Sequence, residues 1–277
     1  NTRCRFRYCK CKTANTTDAP VYVMGIDSGS TSTNAVILNG NREIVASAVI
    51  RTGAKSGESA QRILEEILQK ANLQRSDLTK IVSTGYGRVS IPFADENVTE
   101  ISCHGKGAHY LNPEIRTILD IGGQDSKAIH LNEKGDVTDF VMNDKCAAGT
   151  GRFLEVMANT LSLRPNEMFE LARLGSDTTI SSMCTVFAES EVIGLIGKGE
   201  PKENIAYAVV DSTIRKVTAQ LSRMNGEMST FCLTGGLCEC EYIREALSKK
   251  LGKEVISSPD ARYAGAIGAA LSAMKIR

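Results

Sequence analysis

Three short glycine turns carry the residues of this chain that are best suited to hold a phosphate group. They are GIDSGST (residues 25–31), DIGGQDSK (residues 120–127) and LTGGL (residues 233–237), and each follows a predicted strand. Glycine lets a backbone approach an anion closely, and successive amide N–H groups can surround phosphate oxygens. Ser30 and Thr31 would add hydroxyl donors, while Asp27 and Asp120 would add oxygens that hold Mg²⁺ through water.

One such turn is more often an ordinary hairpin, so the prediction depends on repetition. A shift of 93 residues places Asp27 on Asp120 and Gly29 on Gly122, and further matches follow in the same register. These matches fall inside two strand–turn–strand units, which predicts duplicated lobes with a nucleotide between them. No GxxxxGK[ST] segment occurs in the chain, which excludes a P-loop as the phosphate site.

The hydrophobic pattern predicts the elements that position these turns. Runs rich in β-branched residues predict strands at 21–29, 34–39, 43–50, 80–87, 136–143 and 230–236, and a pair of strands within 117–132. Apolar residues at three- and four-residue steps predict helices at 60–71, 151–163, 186–196, 204–224, 242–251 and 263–274.

Composition excludes several classes of protein. The chain has 277 residues, and 33 Lys and Arg balance 32 Asp and Glu, which does not favour a nucleic-acid partner. No apolar run approaches the ~20 residues that a bilayer span needs. The nine cysteines, without a recognisable secretion signal, are expected to be reduced thiols or metal ligands in the cytoplasm. Residues 1–19, with Cys4, Cys9 and Cys11, are expected to be a flexible tail or linker, or else to bind metal.

Two cysteines stand in matching settings. Cys146 (NDKCAAGTGRFLE) and Cys184 (SSMCTVFAESEV) each precede an amphipathic segment, so both are predicted to lie at helix N-termini. A helix N-terminus lowers the pKa of a thiol and favours the thiolate that binds metal. The alternative is a pair of buried structural cysteines.

Two thiolates cannot complete the usual four-cysteine shell of an iron–sulfur cluster, but two copies of the chain can. The prediction is therefore one 4Fe-4S cluster shared across a homodimer. Cys-x-x-Cys spacing is missing from the sequence, which disfavours a zinc finger.

The glycine turns resemble those of the actin, hexokinase and Hsp70 superfamily. That resemblance implies an α/β fold of two duplicated ribonuclease-H-like lobes with ATP in the cleft. GIDSGST and DIGGQDSK would be the phosphate loops, and LTGGL the adenosine loop. Lobe I would comprise residues 20–114 and 259–277, and lobe II, with the cysteine-bearing helices, residues 115–258.

A narrower resemblance lies in GIDSGST, STGYGR, DIGGQDSK, NDKCAAGTGRFLE and CTVFAESEV. Together they are similar to the activator ATPases of 2-hydroxyacyl-CoA dehydratases, a family that includes the ATPase subunits of benzoyl-CoA reductase. The resemblance implies ATP or ADP, Mg²⁺ and a cluster between two subunits. It also implies an electron donor (ferredoxin or flavodoxin) and a partner iron–sulfur enzyme that receives one electron.

The site residues so implied fall into three groups. They are Asp27, Asp120, Gln124 and Asp125 for catalysis; Gly29, Ser30, Thr31, Gly122, Gly123, Lys127, Thr234, Gly235 and Gly236 for the nucleotide; and Cys146 and Cys184 for the cluster.

The chain also departs from the family pattern. Asn34 stands where relatives often have lysine, and Cys238 and Cys240 lie beside the adenosine turn. Cys103 and His104 are expected to be a core or loop pair. These departures leave open a double-cubane-cluster protein as the partner. A small-molecule kinase of the same superfamily and an actin-like scaffold are the alternative functions.

Overall fold

Two five-stranded sheets with the same strand order, one from residues 22–97 and the other from residues 117–256, form the framework of the molecule. The structure is a computed structural model that describes residues 21–181 and 184–275. The predicted tail at 1–19, with its three cysteines, lies outside the described residues.

The strands and helices follow one another in two similar series. The strands are β1 (Tyr22–Ser28), β2 (Ser32–Asn39), β3 (Ile44–Arg51), β4 (Leu78–Thr84), β5 (Glu96–Asn97), β6 (Thr117–Ile121), β7 (Ser126–Leu131), β8 (Val137–Asn143), β9 (Phe231–Gly235) and β10 (Val255–Ile256). The helices are α1 (Ser56–Ala71), α2 (Glu100–Leu111), α3 (Gly151–Thr160), α4 (Pro165–Ala172), α5 (Thr185–Gly197), α6 (Lys202–Ala219), α7 (Glu241–Leu251) and α8 (Ala264–Lys275).

The strand order is β3-β2-β1-β4-β5 in the first sheet and β8-β7-β6-β9-β10 in the second. In each sheet the first three strands form an antiparallel meander, and the next two run parallel to its first strand. The predicted repeat therefore extends to every strand. In β1, Asp27 lies opposite Asn34 and Thr84, and in β6 Asp120 lies opposite Lys127 and Thr234. Asp120 and Lys127 stand 93 residues after Asp27 and Asn34, whereas the parallel-strand partner Thr234 comes later because helices α3 to α6 precede β9.

Both faces of the first sheet are covered, which explains why β1 is apolar almost throughout. The buried face of α1 (Ala60, Ile63, Leu64 and Ile67) packs on one side with Ile26 and Ile37. On the other side, the small residues of α8 let its backbone lie close to β1, β2 and β4.

Helix α2 lies between the two halves of the molecule and was not predicted. Its segment EISCHGKGAHYL mixes glycine, cysteine and histidine, which gives little periodic signal. Its glycines instead allow close contact: a Cβ at Gly107 would collide with the Ala264 carbonyl of α8. A Cβ at Gly105 would lie 2.9 Å from Val137 of β8, so α2 touches the second sheet as well.

Helices α3 to α7 pack on the second sheet and form a hydrophobic core with it. Of these helices, α6 has the largest buried face. Helix α4 was not predicted either. Among the described residues, no helix combines the length and the apolar character that crossing a bilayer requires.

We expect Gly268→Ala in α8 to destabilise the protein. The new Cβ would collide with the Cys103 carbonyl of α2, and backbone at a helix crossing has little freedom to move. Overpacking of this kind typically costs about 1–3 kcal/mol. Gly194→Ala in α5 is the matched control, because no atom lies within 4 Å of its new Cβ. Urea unfolding measures both; equal stability of the two variants would contradict the close α2–α8 contact.

Candidate functional site

A cleft of about 280 Å³ lies between the two sheets, where the carboxyl ends of β1, β6 and β9 meet the glycine turns. Its lining includes Asp27, Gly29, Thr31, Ser32, Asn34, Glu100, His104, Asp120, Gly122, Gly123, Asp125, Gly235, Gly236 and Arg262. Both sheets thus contribute a glycine turn and an aspartate to one cavity.

A lysine ammonium lies beneath the floor of the cleft, which we define by the carboxylates of Glu100, Asp120 and Asp125 and the imidazole of His104. Lys127 Nζ lies 2.7 Å from Glu100 Oε1, 3.0 Å from Asp120 Oδ2 and 2.9 Å from Asp125 Oδ2. The side chain is only 2% exposed. Burial alone would lower the pKa of Lys127, but the three carboxylates outweigh it and keep the pKa above its ordinary value. Lys127 is therefore charged, and its donors are directed at carboxylates of the protein.

Asp120 is held ionised by several partners. Besides Lys127, it accepts a hydrogen bond from Thr234 Oγ1 at 2.8 Å and lies 3.3 Å from His104 Nε2. Burial opposes ionisation, but Lys127 and His104 together hold the pKa of Asp120 well below its usual range. Burial likewise opposes the charge on His104, yet Asp120 raises the pKa of this imidazole to about 9.

Asp27, the repeat equivalent of Asp120, has a different environment. The position equivalent to Lys127 is Asn34, whose Oδ1 is buried without a hydrogen-bond partner among the described residues. Burial therefore raises the pKa of Asp27 to about 6, although His104 acts to lower it. Of the two equivalent aspartates, Asp27 is the one able to exchange a proton near neutral pH.

Each aspartate packs against a glycine with positive φ at the carboxyl end of the neighbouring parallel strand. These are Gly85 (φ +88°), directly after β4, and Gly235 (φ +85°), the last residue of β9. A Cβ at Gly85 would collide with Asp27 Oδ1, and a Cβ at Gly235 would lie 2.9 Å from Asp120 Oδ1. Glycine is required at both positions for conformation and for space.

The second phosphate turn is bonded directly to the start of α3. The amide of Gly151 donates to the Gly122 carbonyl at 2.9 Å, and the amide of Arg152 donates to the Gly123 carbonyl at 2.8 Å. The first turn of α3 is thereby fixed to the cleft. The segment that immediately precedes α3 carries Cys146.

The two cysteines occupy different positions relative to their helices. Cys184 is the N-cap residue of α5, as predicted, and it is also exposed. The prediction for Cys146 was wrong: the N-cap of α3 is Thr150, and Cys146 lies four residues earlier in a loop. The loop turns at Gly149 (φ +84°), which directs the α3 N-terminus to the cleft. Asn143 Nδ2 fixes this loop by donating to the Cys146 carbonyl at 2.8 Å.

Comparison with known proteins identifies the family. The family model of the BadF/BadG/BcrA/BcrD ATPases matches residues 24–273. The chain belongs to this family. It is 44% identical, over 92% of its length and 98% of the relative, to the (R)-2-hydroxyglutaryl-CoA dehydratase activating ATPase of Acidaminococcus fermentans.

Solved structures of related proteins agree with this assignment. Component A of that dehydratase has a TM-score of 0.87 at 42% identity, covering 92% of this chain and 98% of the other. The activator of the 2-hydroxyisocaproyl-CoA dehydratase from Clostridium difficile, with bound ADPNP, has a TM-score of 0.85 at 40% identity, with 92% and 94% covered. A ROK family glucokinase from Streptomyces griseus shares the fold at 14% identity and a TM-score of 0.56, with 92% and 100% covered. The predicted fold class and family are confirmed.

In this BadF/BadG/BcrA/BcrD ATPase, most predicted cleft residues line the cavity and some do not. Those outside its lining are Ser30, Gln124, Lys127 and Thr234. Gln124 is exposed and lines a neighbouring depression with Thr31 and Arg152. Lys127 and Thr234 lie beneath the floor, where they bind Asp120 rather than face the cavity.

Sequence reasoning missed two residues of the floor, Glu100 and His104, both on α2. Cys103 is a buried core residue as expected, but its neighbour His104 lines the cleft. The one available signal was the acidic and imidazole pair four residues apart, which places both side chains on one helix face. Cys238 is buried below the adenosine turn, and burial raises the pKa of its thiol to about 11.

The asymmetry between Asp27 and Asp120 predicts a pH effect in metal-free protein. The pKa of Asp27 is about 6 in the folded protein, against an ordinary value of 3.8. Protonated Asp27 therefore contributes fully to the free energy of unfolding below about pH 4, and this contribution is lost as the pH rises through 6. Asn34→Lys supplies an ammonium and lowers the pKa of Asp27. The difference in free energy of unfolding between Asn34→Lys and wild type should then shift in favour of the variant by on the order of 2 kcal/mol from pH 4 to pH 7. Urea unfolding across this range measures it.

Asn34→Met separates charge from size in that experiment. This uncharged control should follow the wild-type dependence on pH. If the stability difference between Asn34→Lys and Asn34→Met does not change with pH, Asp27 is not the titrating carboxyl.

Proposed function

We propose that this chain is an ATP-dependent activator that delivers one electron to a partner iron–sulfur enzyme. The observation that carries the proposal is the pair of hydrogen bonds that joins the phosphate turn to α3, beside the Cys146 loop. The similar A. fermentans protein is a dehydratase activating ATPase, so we propose a 2-hydroxyacyl-CoA dehydratase-like partner. A double-cubane-cluster protein stays an alternative partner.

ATP would bind in the cleft with its phosphates between the two glycine turns. Gly29, Thr31, Gly122 and Gly123 line this part of the cleft. The amides of Gly29 and Gly122 close their own turns by donating to the carbonyls of Ser32 and Asp125, so we assign the phosphate contacts to the Thr31 hydroxyl and the Gly123 amide. Gly235 and Gly236 would lie at the adenosine side. Asp27 has no ammonium partner among the described residues, so it is the carboxylate that we assign to ordering Mg²⁺ or the attacking water. Asp120 and Asp125 are engaged with Lys127 and would act through water.

The residues around Cys184 fit an anionic iron–sulfur group. Within the described residues, no side chain caps the N-terminus of α5, and Thr185 Oγ1 is buried without a hydrogen-bond partner. The first backbone amides of a helix are unsatisfied donors with a positive field, which suits a cluster with thiolate ligands. Among the described residues, no three His, Cys, Asp or Glu side chains form a metal site within one chain. A second copy would therefore have to complete the ligand set.

Helix α5 offers the surface for that second copy. Val186, Phe187, Ile193 and Ile196 are exposed along it, and Phe187 is 66% exposed. Only Ala188 and Val192 of this helix are fully buried. Exposed apolar side chains concentrated on one element mark a protein interface. Since this surface begins two residues after Cys184, we propose that it forms the homodimer contact around the cluster.

The chain couples nucleotide and cysteines through its own backbone. Closure of the cleft on ATP would move Gly122 and Gly123, and through them the amides of Gly151 and Arg152. The Cys146 loop must follow, because Thr150 is bonded to Ala147 at its base. A 4Fe-4S cluster held there would supply storage for one electron. We propose ferredoxin or flavodoxin as the electron donor, and the cytoplasm as the location.

The ligand assignment predicts iron contents. Protein purified without oxygen should carry about two irons per chain, since one four-iron cluster is shared by two chains. Cys146→Ala and Cys184→Ala should each abolish the iron and the brown colour. Cys240→Ala is the control, because this half-buried cysteine packs on the second-lobe core. Colorimetric iron assay measures all three; a full complement of iron in either ligand variant would refute the assignment.

The proposed dimer surface predicts the effect of a charge. Phe187→Asp should give a monomer that has lost iron yet still binds ATP, because α5 lines no part of the cleft. Leu174→Asp is the control, since Leu174 is 76% exposed and lies outside α5. Sedimentation gives the mass and calorimetry gives the ATP affinity. An intact dimer in Phe187→Asp would rule out this surface.

A further inference from the structure

A groove of about 340 Å³ lies between the C-terminal half of α6 and the two cysteine-bearing segments. We call it the basic groove, and we define it by Asn143, Ser181, Arg215, Lys216, Gln220 and Arg223. It has no residue in common with the ATP cleft.

The basic groove contacts both cysteine segments. Lys216 lies against Gly149, in the loop that follows Cys146. Arg215 Nη2 donates to the Ile180 carbonyl at 2.9 Å, four residues before Cys184. Through these contacts, the groove adjoins both segments between which we propose that the electron is accepted.

The charge of the basic groove is positive. Arg215 is paired with Asp211 at 2.8 Å, whereas Lys216 and Arg223 make no ion pair within the described part of the chain. The described lining of the groove includes no carboxylate, although the amide of Ser181 donates to Glu191 Oε2 at 2.9 Å. Lys216 is half-buried, so its charge is screened less than that of an exposed lysine. An anionic group is the complement of this lining.

Gln220 adds an unpartnered buried group to the same groove. The residue is 4% exposed, and its Nε2 donates to Ser126 Oγ at 2.7 Å. Its other amide atom, Oε1, has no hydrogen-bond partner among the described residues. If the Ser126 hydroxyl donates instead, the amide turns and offers an N–H to an anion in the groove.

We propose that the basic groove is the docking site for carboxylates on the surface of a small acidic electron-carrier protein. This inference rests on the proposed function. The carrier loses one electron, the acceptor between the cysteine segments gains it, and no bond or proton changes hands. A protein is favoured over a small anion because Arg223 is exposed at the rim while Lys216 lies in the wall, which suits carboxylates spread over a surface.

The test is the affinity of the full chain for a purified acidic ferredoxin, measured by calorimetry at low ionic strength. The double variant Lys216→Glu/Arg223→Glu should weaken binding at least about tenfold and flatten its dependence on salt. Lys216→Met/Arg223→Met keeps the packing against Gly149 and should weaken binding less. Lys249→Glu/Lys250→Glu in α7 is the control with the same change in net charge.

Two outcomes would overturn the proposal. One is equal ferredoxin affinity in the groove and α7 variants, or no binding to wild type. The other is binding of inorganic phosphate that the groove variants abolish while ferredoxin affinity is unchanged, which would make the groove a small-anion site.

Dithionite separates this inference from the proposed function: if it bleaches the iron absorbance equally in all variants, the iron site stands whatever the groove does. If wild type shows no such absorbance, the proposed function fails, and ferredoxin affinity still tests the groove.

Discussion

The cleft depends on the ion pairs between Lys127 and three carboxylates. The lysine ammonium is enclosed by carboxylates from α2, from β6 and from the turn between β6 and β7. Removing a charge from water is expensive, and it is tolerated only where partners of opposite charge satisfy it. The carboxylates need the lysine equally, because without it three negative groups would stand together with little solvent. The contact to Glu100 also binds α2 to the second sheet, and α2 in turn packs on α8.

Duplication gave the molecule two similar cleft walls, and substitution made them chemically different. Asp27 and Asp120 have the same strand register, the same neighbouring threonine and the same glycine at positive φ. They differ in the partner across the antiparallel pair, where Asn34 replaces the equivalent of Lys127. In one wall the charge of Asp120 is consequently compensated by Lys127, and in the other Asp27 can gain or lose a proton near neutral pH. A fold with twofold internal repetition can in this way hold a substrate that has no symmetry.

The sequence predicted what depends on local pattern. Strand runs, glycine turns and the 93-residue repeat are all readable from neighbours in the chain, and the structure has them in that order. It did not predict α2, because its glycines serve contacts with Ala264 and Val137 that are distant in sequence. The direction of a side chain was equally hidden. Lys127 belongs to a turn that resembles a phosphate loop, yet three carboxylates determine where its ammonium points.

Cys146 shows a limit of another kind. The sequence predicted a helix over 151–163, and α3 begins at Gly151, yet Cys146 lies in the loop before that helix, which turns at Gly149. The first amides of α3 bind the carbonyls of Gly122 and Gly123 instead of facing the cysteine. A short backbone connection of this kind transmits displacement both ways, and linkage requires the two effects to be equal in free energy. A companion protein seated near Cys146 would therefore alter how tightly the cleft holds its nucleotide.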